Sequence, residues 1–251
     1  MCTVTYRPSS NGFYLCSNRD EYKIRKKASS PQYDYHNGIK LLFPKDGAAG
    51  GTWIAVNQHG WVIVLLNGAF EKHISKGPYH KSRGLIALDI IANLNPVQGF
   101  LNIPLIGIEP FTIILAQQNR LYECRWDGVL KSKKTLDPKQ NYIWSSVTLY
   151  SNEVIANREL FFQEWCRKYP QPNIPELLNF HQFKSEENNE PDIQINRQET
   201  LLTLSISCLM VEESKAVFEY LDIVEQETTR QAIELATNFH EIPLEANVKK
   251  N

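Results

Sequence analysis

An α+β fold, with antiparallel sheets covered by helices, is predicted by three observations. Strand-length apolar runs come in pairs joined by short turns rich in Gly, Asn or Pro. Helical periodicity is confined to two places, one after the second pair of strands and one before the last. At 251 residues the chain is long enough for one large layered domain. No repeat, low-complexity tract or linker interrupts it, so residues 1–251 are expected to form a single domain.

Cys2-Thr3-Val4-Thr5-Tyr6 alternates and is β-branched, and Gly12-Phe13-Tyr14-Leu15-Cys16-Ser17 follows a Pro/Ser/Asn turn, giving a first hairpin. Antiparallel pairing returns the end of the second strand to the start of the first, so Asn18, Arg19 and Asp20 are expected near Cys2. Residues 22–37 read as a loop. Its basic run, 23–27, reads as a solvated face, with a guard for an acidic substrate as the other reading. A short strand is expected at 40–43.

Gly50 to Asn57 and Trp61 to Gly68 flank a His-Gly turn and form a second hairpin. The second run is almost continuously apolar, as in a strand buried on both faces. Asn67-Gly68 closes it. Asn67 is either a turn residue or an amide donor at the lip of that strand. Ser82 as a cap and helical spacing over 85–94 place a helix there, ended by Asn95-Pro96, with a second helical piece in 96–105. Residues 111–116 and 121–126 form a third hairpin, and 129–133 and 142–145 are weaker strands. Helices follow at 152–169 and 175–183, then a polar loop at 184–199. Strands at 201–211 and 216–224 make a fourth hairpin. The tail from residue 225 reads either as a helix over 229–237 or as an extended edge.

Composition narrows the function. A formal net charge of −1 gives no electrostatic footprint for nucleic acid or an anionic membrane. No apolar run reaches the ~20 residues of a membrane helix, and no secretory signal is visible, so a cytoplasmic protein is expected. The five cysteines, at 2, 16, 124, 166 and 208, include no CxxC pair. Neither a metal site nor a disulfide framework is expected from them, and Cys16, Cys124 and Cys208 read as core residues. His73 and His80 lie in an irregular loop and read as surface residues. Phosphate-loop and GxSxG signatures are absent, and no cofactor is expected.

Cys2 is the residue with the sharpest chemical reading. Once Met1 is removed it carries a thiol beside a free α-amino group, whose reference pKa of about 7.7–8.0 lets it act as a base. The other reading is a small hydrophobe opening a buried strand.

Met1-Cys2, Asn18-Arg19-Asp20-Glu21, Gly50-Gly51-Thr52-Trp53, the strand ending at Asn67 and Ser82-Arg83-Gly84 before a helix together resemble the NRDE family, also called the transport and Golgi organisation family. The resemblance is strongest over the first half. It implies an N-terminal nucleophile hydrolase-like αββα sandwich, similar to bile-salt hydrolases and penicillin acylases. Carried onto this chain, it gives Cys2 as nucleophile with its amine as base. Arg19 lies beside the nucleophile, Asp20 is the acid that orients it, and Asn67 is an oxyanion donor. Asn18 and Ser146 are further candidate oxyanion or substrate contacts. Ser146 stands where such hydrolases offer a second asparagine, and losing one oxyanion donor costs on the order of 10²–10³ in rate. Arg197 is not carried over. The implied partner is a small acyl or amide substrate cleaved at a non-peptide amide. The alternative is a non-catalytic binding or trafficking protein holding a lipid, acyl or haem ligand.

Overall fold

Fourteen strands of a computed structural model, which describes residues 3–75, 77–185 and 192–236, form two antiparallel seven-stranded sheets. The first runs β10 (Tyr142–Ser145), β1 (Thr3–Ser9), β2 (Gly12–Tyr22), β12 (Leu201–Glu212), β13 (Lys215–Asp222), β14 (Glu227–Glu234), with β11 (Asn196–Arg197) added beside β12. The second runs in chain order: β3 (Gln32–His36), β4 (Ile39–Phe43), β5 (Ile54–Asn57), β6 (Val62–Asn67), β7 (Phe111–Gln117), β8 (Arg120–Trp126), β9 (Lys131–Leu136). Helices α1 (Arg83–Ile91) and α2 (Pro96–Asn102) follow the second sheet's centre, and α1 packs on β5 and β6. Helices α3 (Asn152–Lys168) and α4 (Ile174–His181) cover the first sheet. The order is helix, sheet, sheet, helix.

Strand alternation sorts β1 and β2 between the layers. Val4, Tyr6, Phe13 and Leu15 enter the core shared by the sheets. Cys16 faces the other way and packs with Ile174 and Leu177 of α4. β6 and β7 are buried along nearly their whole length, as their unbroken apolar runs require. Each such side chain is worth roughly 1.5–3 kcal/mol when fully buried. The helix starts are set by local chemistry: Ser82, Asn95, Ser151 and Asn173 each accept a backbone N–H of the first turn, and Asn173 with Glu176 completes a capping box.

The four expected hairpins form, with Thr3 opposite Asn18 in the first. Two expectations need correction, and a third, left open between helix and extended edge, is resolved. Residues 32–36, read within a loop, are the edge strand β3; its Tyr33 and Tyr35 alternate but are exposed, and the segment has no aliphatic or β-branched residue. The tail takes the extended alternative: β14 pairs with β13 along its length. Cys16 and Cys208 are buried, but they are also joined as a disulfide (S–S 2.06 Å) across β2 and β12, where the register sets them opposite one another. They are 192 residues apart, so spacing along the chain carries no trace of the pairing. Cys124 packs in the core as expected, where burial pushes its thiol up to about 12.

Candidate active site

The two sheets approach most closely in chemistry at the start of β1. Thr3 stands in register with Asn18 of β2 on one side and Ser145 of β10 on the other. One residue on from each partner stand Arg19 and Ser146. The Ser146 hydroxyl donates to the Asn67 carbonyl oxygen at 2.8 Å, tying this end of the first sheet to the end of β6 in the second. Cys2, the expected nucleophile, lies outside the described residues.

A cavity of about 380 Å³ opens here, with Arg19 and Asn67 both in its lining. Arg19 is 4% exposed. Its guanidinium lies 4.8 Å from the Trp53 ring centroid and donates to Asp46 at 2.7 Å. Asp46 also takes Arg25 Nε and Nη2, both at 3.0 Å, and the backbone N–H groups of Ala48 and Ala49. Burial opposes its ionisation. The hydrogen bonds from Arg25, Ala49 and Arg19 nevertheless hold its carboxyl well below the usual carboxylate range.

The cavity's far wall is built by two of the short motifs meeting. The loop ending in Gly51-Thr52 sits on the first turn of α1: Thr52 N–H donates to the Gly84 carbonyl at 3.2 Å. A Cβ on Gly51 would come within 2.4 Å of Gly84 backbone, so glycine is required for this approach. That contact presents Arg83, which pairs with Glu109 at 3.0 Å and donates to the Pro110 carbonyl at 3.2 Å. Burial lowers the Arg83 pKa. His73, expected on the surface, is half-buried and bonded to the same Glu109 at 3.1 Å. His80 is exposed as expected.

The neighbours of Arg19 on β2 point to the opposite side. Asn18 is fully buried, and its amide donates to the carbonyls of His181 and Ile193 while its oxygen meets His181 Nδ1. His181 Nε2 lies 2.7 Å from Thr5 Oγ1. Burial, with Arg158 adding to it, pushes the His181 pKa down to about 3, so its ring is neutral. Arg158 is 2% exposed. It donates to Thr3 Oγ1 at 2.9 Å and to the Asp192 carbonyl, and it covers the Tyr150 ring at 3.8 Å. The Tyr150 hydroxyl in turn donates to Asp20 at 3.1 Å, and Thr203 Oγ1 donates to the other Asp20 oxygen.

The structure therefore brings Arg19, Asn67 and Ser146 to one end of the sandwich. It sets Asp20 and Asn18 behind them in the helix-side network. Asp46 and Glu109 carry no motif and were invisible in the sequence, while Arg25 stood out only as part of the basic run 23–27. Arg83 lay inside a motif, but nothing local marked its side chain. Arg197, which is exposed, stacks beside Tyr150 and donates to the Leu149 carbonyl. Among the described residues no group of three or more His, Cys, Asp or Glu could hold a metal ion, and no helix is long and apolar enough to cross a membrane.

The sequence model of a family described as Transport and Golgi organisation 2 matches residues 1–237. The chain belongs to that family. No curated protein matches it significantly. Among solved structures it is similar to a cysteine-to-alanine mutant of the conjugated bile acid hydrolase from Clostridium perfringens, at TM-score 0.64 and 8% identity over 95% of this chain and 97% of that one. An arginine-to-leucine variant of the same hydrolase gives TM-score 0.59 and 9% identity over 96% and 100%. The Caenorhabditis elegans ortholog of N-acylethanolamine-hydrolyzing acid amidase gives TM-score 0.58 and 12% identity over 83% and 92%. The fold is thus the N-terminal nucleophile hydrolase αββα sandwich, a scaffold used by amide hydrolases.

Proposed function

We propose that the chain works as one domain that hydrolyses a non-peptide amide through an N-terminal cysteine. After loss of Met1, the Cys2 sulfur attacks the substrate carbonyl carbon and the α-amino group takes the thiol proton. The C–N bond then breaks, the leaving amine takes that proton, and water cleaves the thioester to release the acid. Arg19 favours the thiolate, Asp20 orients the N-terminus, and the Asn67 amide donates to the oxyanion.

The observation that carries this reading is the meeting of Arg19 and Asn67 in one cavity at the end of the sandwich where β1 begins. In the sequence Cys2 directly precedes Thr3, the first residue of β1. The similarity to amide-hydrolysing neighbours supports the same chemistry. The test is intact-mass measurement of Met1 loss, followed by incubation with a panel of acyl amides. An acyl group should accumulate on the N-terminal peptide, and Cys2→Ala should abolish it. An active protein that keeps Met1 overturns the mechanism, because its cysteine amine is acylated.

One observation favours the second reading, a binding or trafficking protein for a lipid, acyl or haem ligand. The Ser146 hydroxyl is 1% exposed as a residue and bonded to the Asn67 carbonyl and Thr148. It does not replace a second oxyanion donor. Full ligand affinity and biological activity in Cys2→Ala would select this reading.

A further inference from the structure

The cavity beside Asn67 carries more charge than a hydrocarbon ligand tolerates. Four basic side chains line it, Arg19, Arg25, Lys81 and Arg83, against three acids. Its large apolar members are Leu65 and Trp53, and the Trp53 ring is already covered by Arg19. An alkyl chain filling this space would strip water from these ions and give nothing back.

The unmet capacity is on the donor side. Both Asp46 oxygens are taken by two arginines and two backbone N–H groups. Glu109 holds Arg83 with one oxygen and His73 with the other. A guanidinium has five N–H donors. Among the described residues Arg19 uses one of its nitrogens in hydrogen bonds, and Arg83 leaves Nε without a partner. Lys81 also lies in the lining, half-exposed, with its ammonium paired to Asp89 by one donor and two left over. Arg25 leaves the otherwise exposed basic run 23–27 to join the cavity, which agrees with a guard for an acidic ligand.

We propose that this cavity takes a compact amide bearing a carboxylate, read by Arg83 with Lys81 beside it, in place of a long-chain acyl amide or lipid. It rests on the hydrolase reading for turnover but not for binding. The probes are three amides sharing one aminocoumarin leaving group: N-succinyl, its methyl ester, and N-dodecanoyl. The full chain should show kcat/KM for the succinyl amide at least tenfold above both others. Arg83→Met should bring the succinyl-to-ester ratio close to one, acting through KM. Lys81→Met, at a half-exposed position that folding tolerates, should lower it severalfold. Calorimetric binding of the same probes to Cys2→Ala separates the two readings. Selective binding of the succinyl amide without turnover in the wild type sinks the hydrolase and keeps this proposal. Dodecanoyl binding equal to or tighter than succinyl overturns it. So does a ratio unchanged by the substitutions, or no binding of the succinyl amide.

Discussion

The two faces of β2 carry polar clusters of opposite design. On the cavity side, Arg19, Arg25 and Asp46 are ionised, charge-assisted and open to a ligand. On the helix side, Asn18, His181 and Thr5 form a closed network whose histidine is neutral, with Arg158 anchored by a hydroxyl, a carbonyl and a ring. One strand thus exposes charge to the space where chemistry is proposed, and locks its other face with a closed network around a neutral histidine. The helix-side cluster holds the start of β1 from behind, through Thr3 and Thr5. The cavity-side cluster is what a substrate would meet. Position and reactivity are separated by a one-residue alternation.

Acid should attack these clusters in different windows, and this is the largest effect expected. The folded-state pKa of His181 is depressed to about 3, below a reference of about 6.5. Its stabilising contribution is complete above pH ~6.5 and is lost as pH falls toward 3, at roughly 1.4 kcal/mol per pH unit. Asp46 is also depressed, but from about 3.9, so its contribution is lost only below pH ~4. Urea unfolding from pH 7 to 4 should show stability falling by a few kcal/mol in the wild type. His181→Gln, which keeps an amide for Thr5 and Asn18, should flatten most of that slope. His59, which burial also lowers, leaves a smaller remainder. An unchanged slope would mean that the helix-side cluster is not locked in its neutral form.

Removing the shared anion attacks the other face. Asp46→Asn leaves two buried or half-buried guanidinium groups around an amide. Breaking a buried pair typically costs 3–5 kcal/mol, but Glu21 stays 3.4 Å from Arg25 and water reaches the cavity. A loss of about 2 kcal/mol is expected at pH 7, or roughly 4–8 °C in Tm for a chain of this size. Acid unfolding below pH 4 should become shallower, while the slope from pH 6.5 to 4 stays. A melt unchanged at pH 7 would show that the cavity-side cluster contributes nothing to the fold.

What was legible in the sequence was local. Hairpins announced themselves through Asn11-Gly12, His59-Gly60 and Asn119 between apolar runs. Helix starts were legible through Ser82 and Asn95-Pro96. The meeting of Asn18, Arg19 and Asp20 with the first strand followed from antiparallel pairing alone. The rest needed long-range closure. Asp46 is defined by donors from residues 19, 25, 48 and 49, and only the last two are neighbours in the chain. His181 meets Asn18 across 163 residues. Ser146 was singled out by family resemblance, yet its bond to the Asn67 carbonyl appears only once both sheets are in place. Strand β3 was missed because its five residues, at an exposed edge, include no aliphatic or β-branched side chain to mark a strand.

The smallest change probes the joint between the faces. Tyr150 lies under Arg158 with its ring and donates to Asp20 with its hydroxyl. Tyr150→Phe keeps the ring beneath the guanidinium and removes only the donor. The stability cost should be about 1 kcal/mol, the worth of one hydrogen bond. If Asp20 orients the N-terminus, the larger consequence is kinetic. The rate at which iodoacetamide alkylates the Cys2 thiol, followed by peptide mass against pH, should shift its midpoint relative to wild type, and kcat should fall severalfold with KM little changed. Thr203→Val removes a second donor to Asp20 and should move the same midpoint in the same direction. A stability loss with neither profile moved would assign Tyr150 to packing, and would leave the helix-side cluster a support for β1 with no reach into the proposed chemistry.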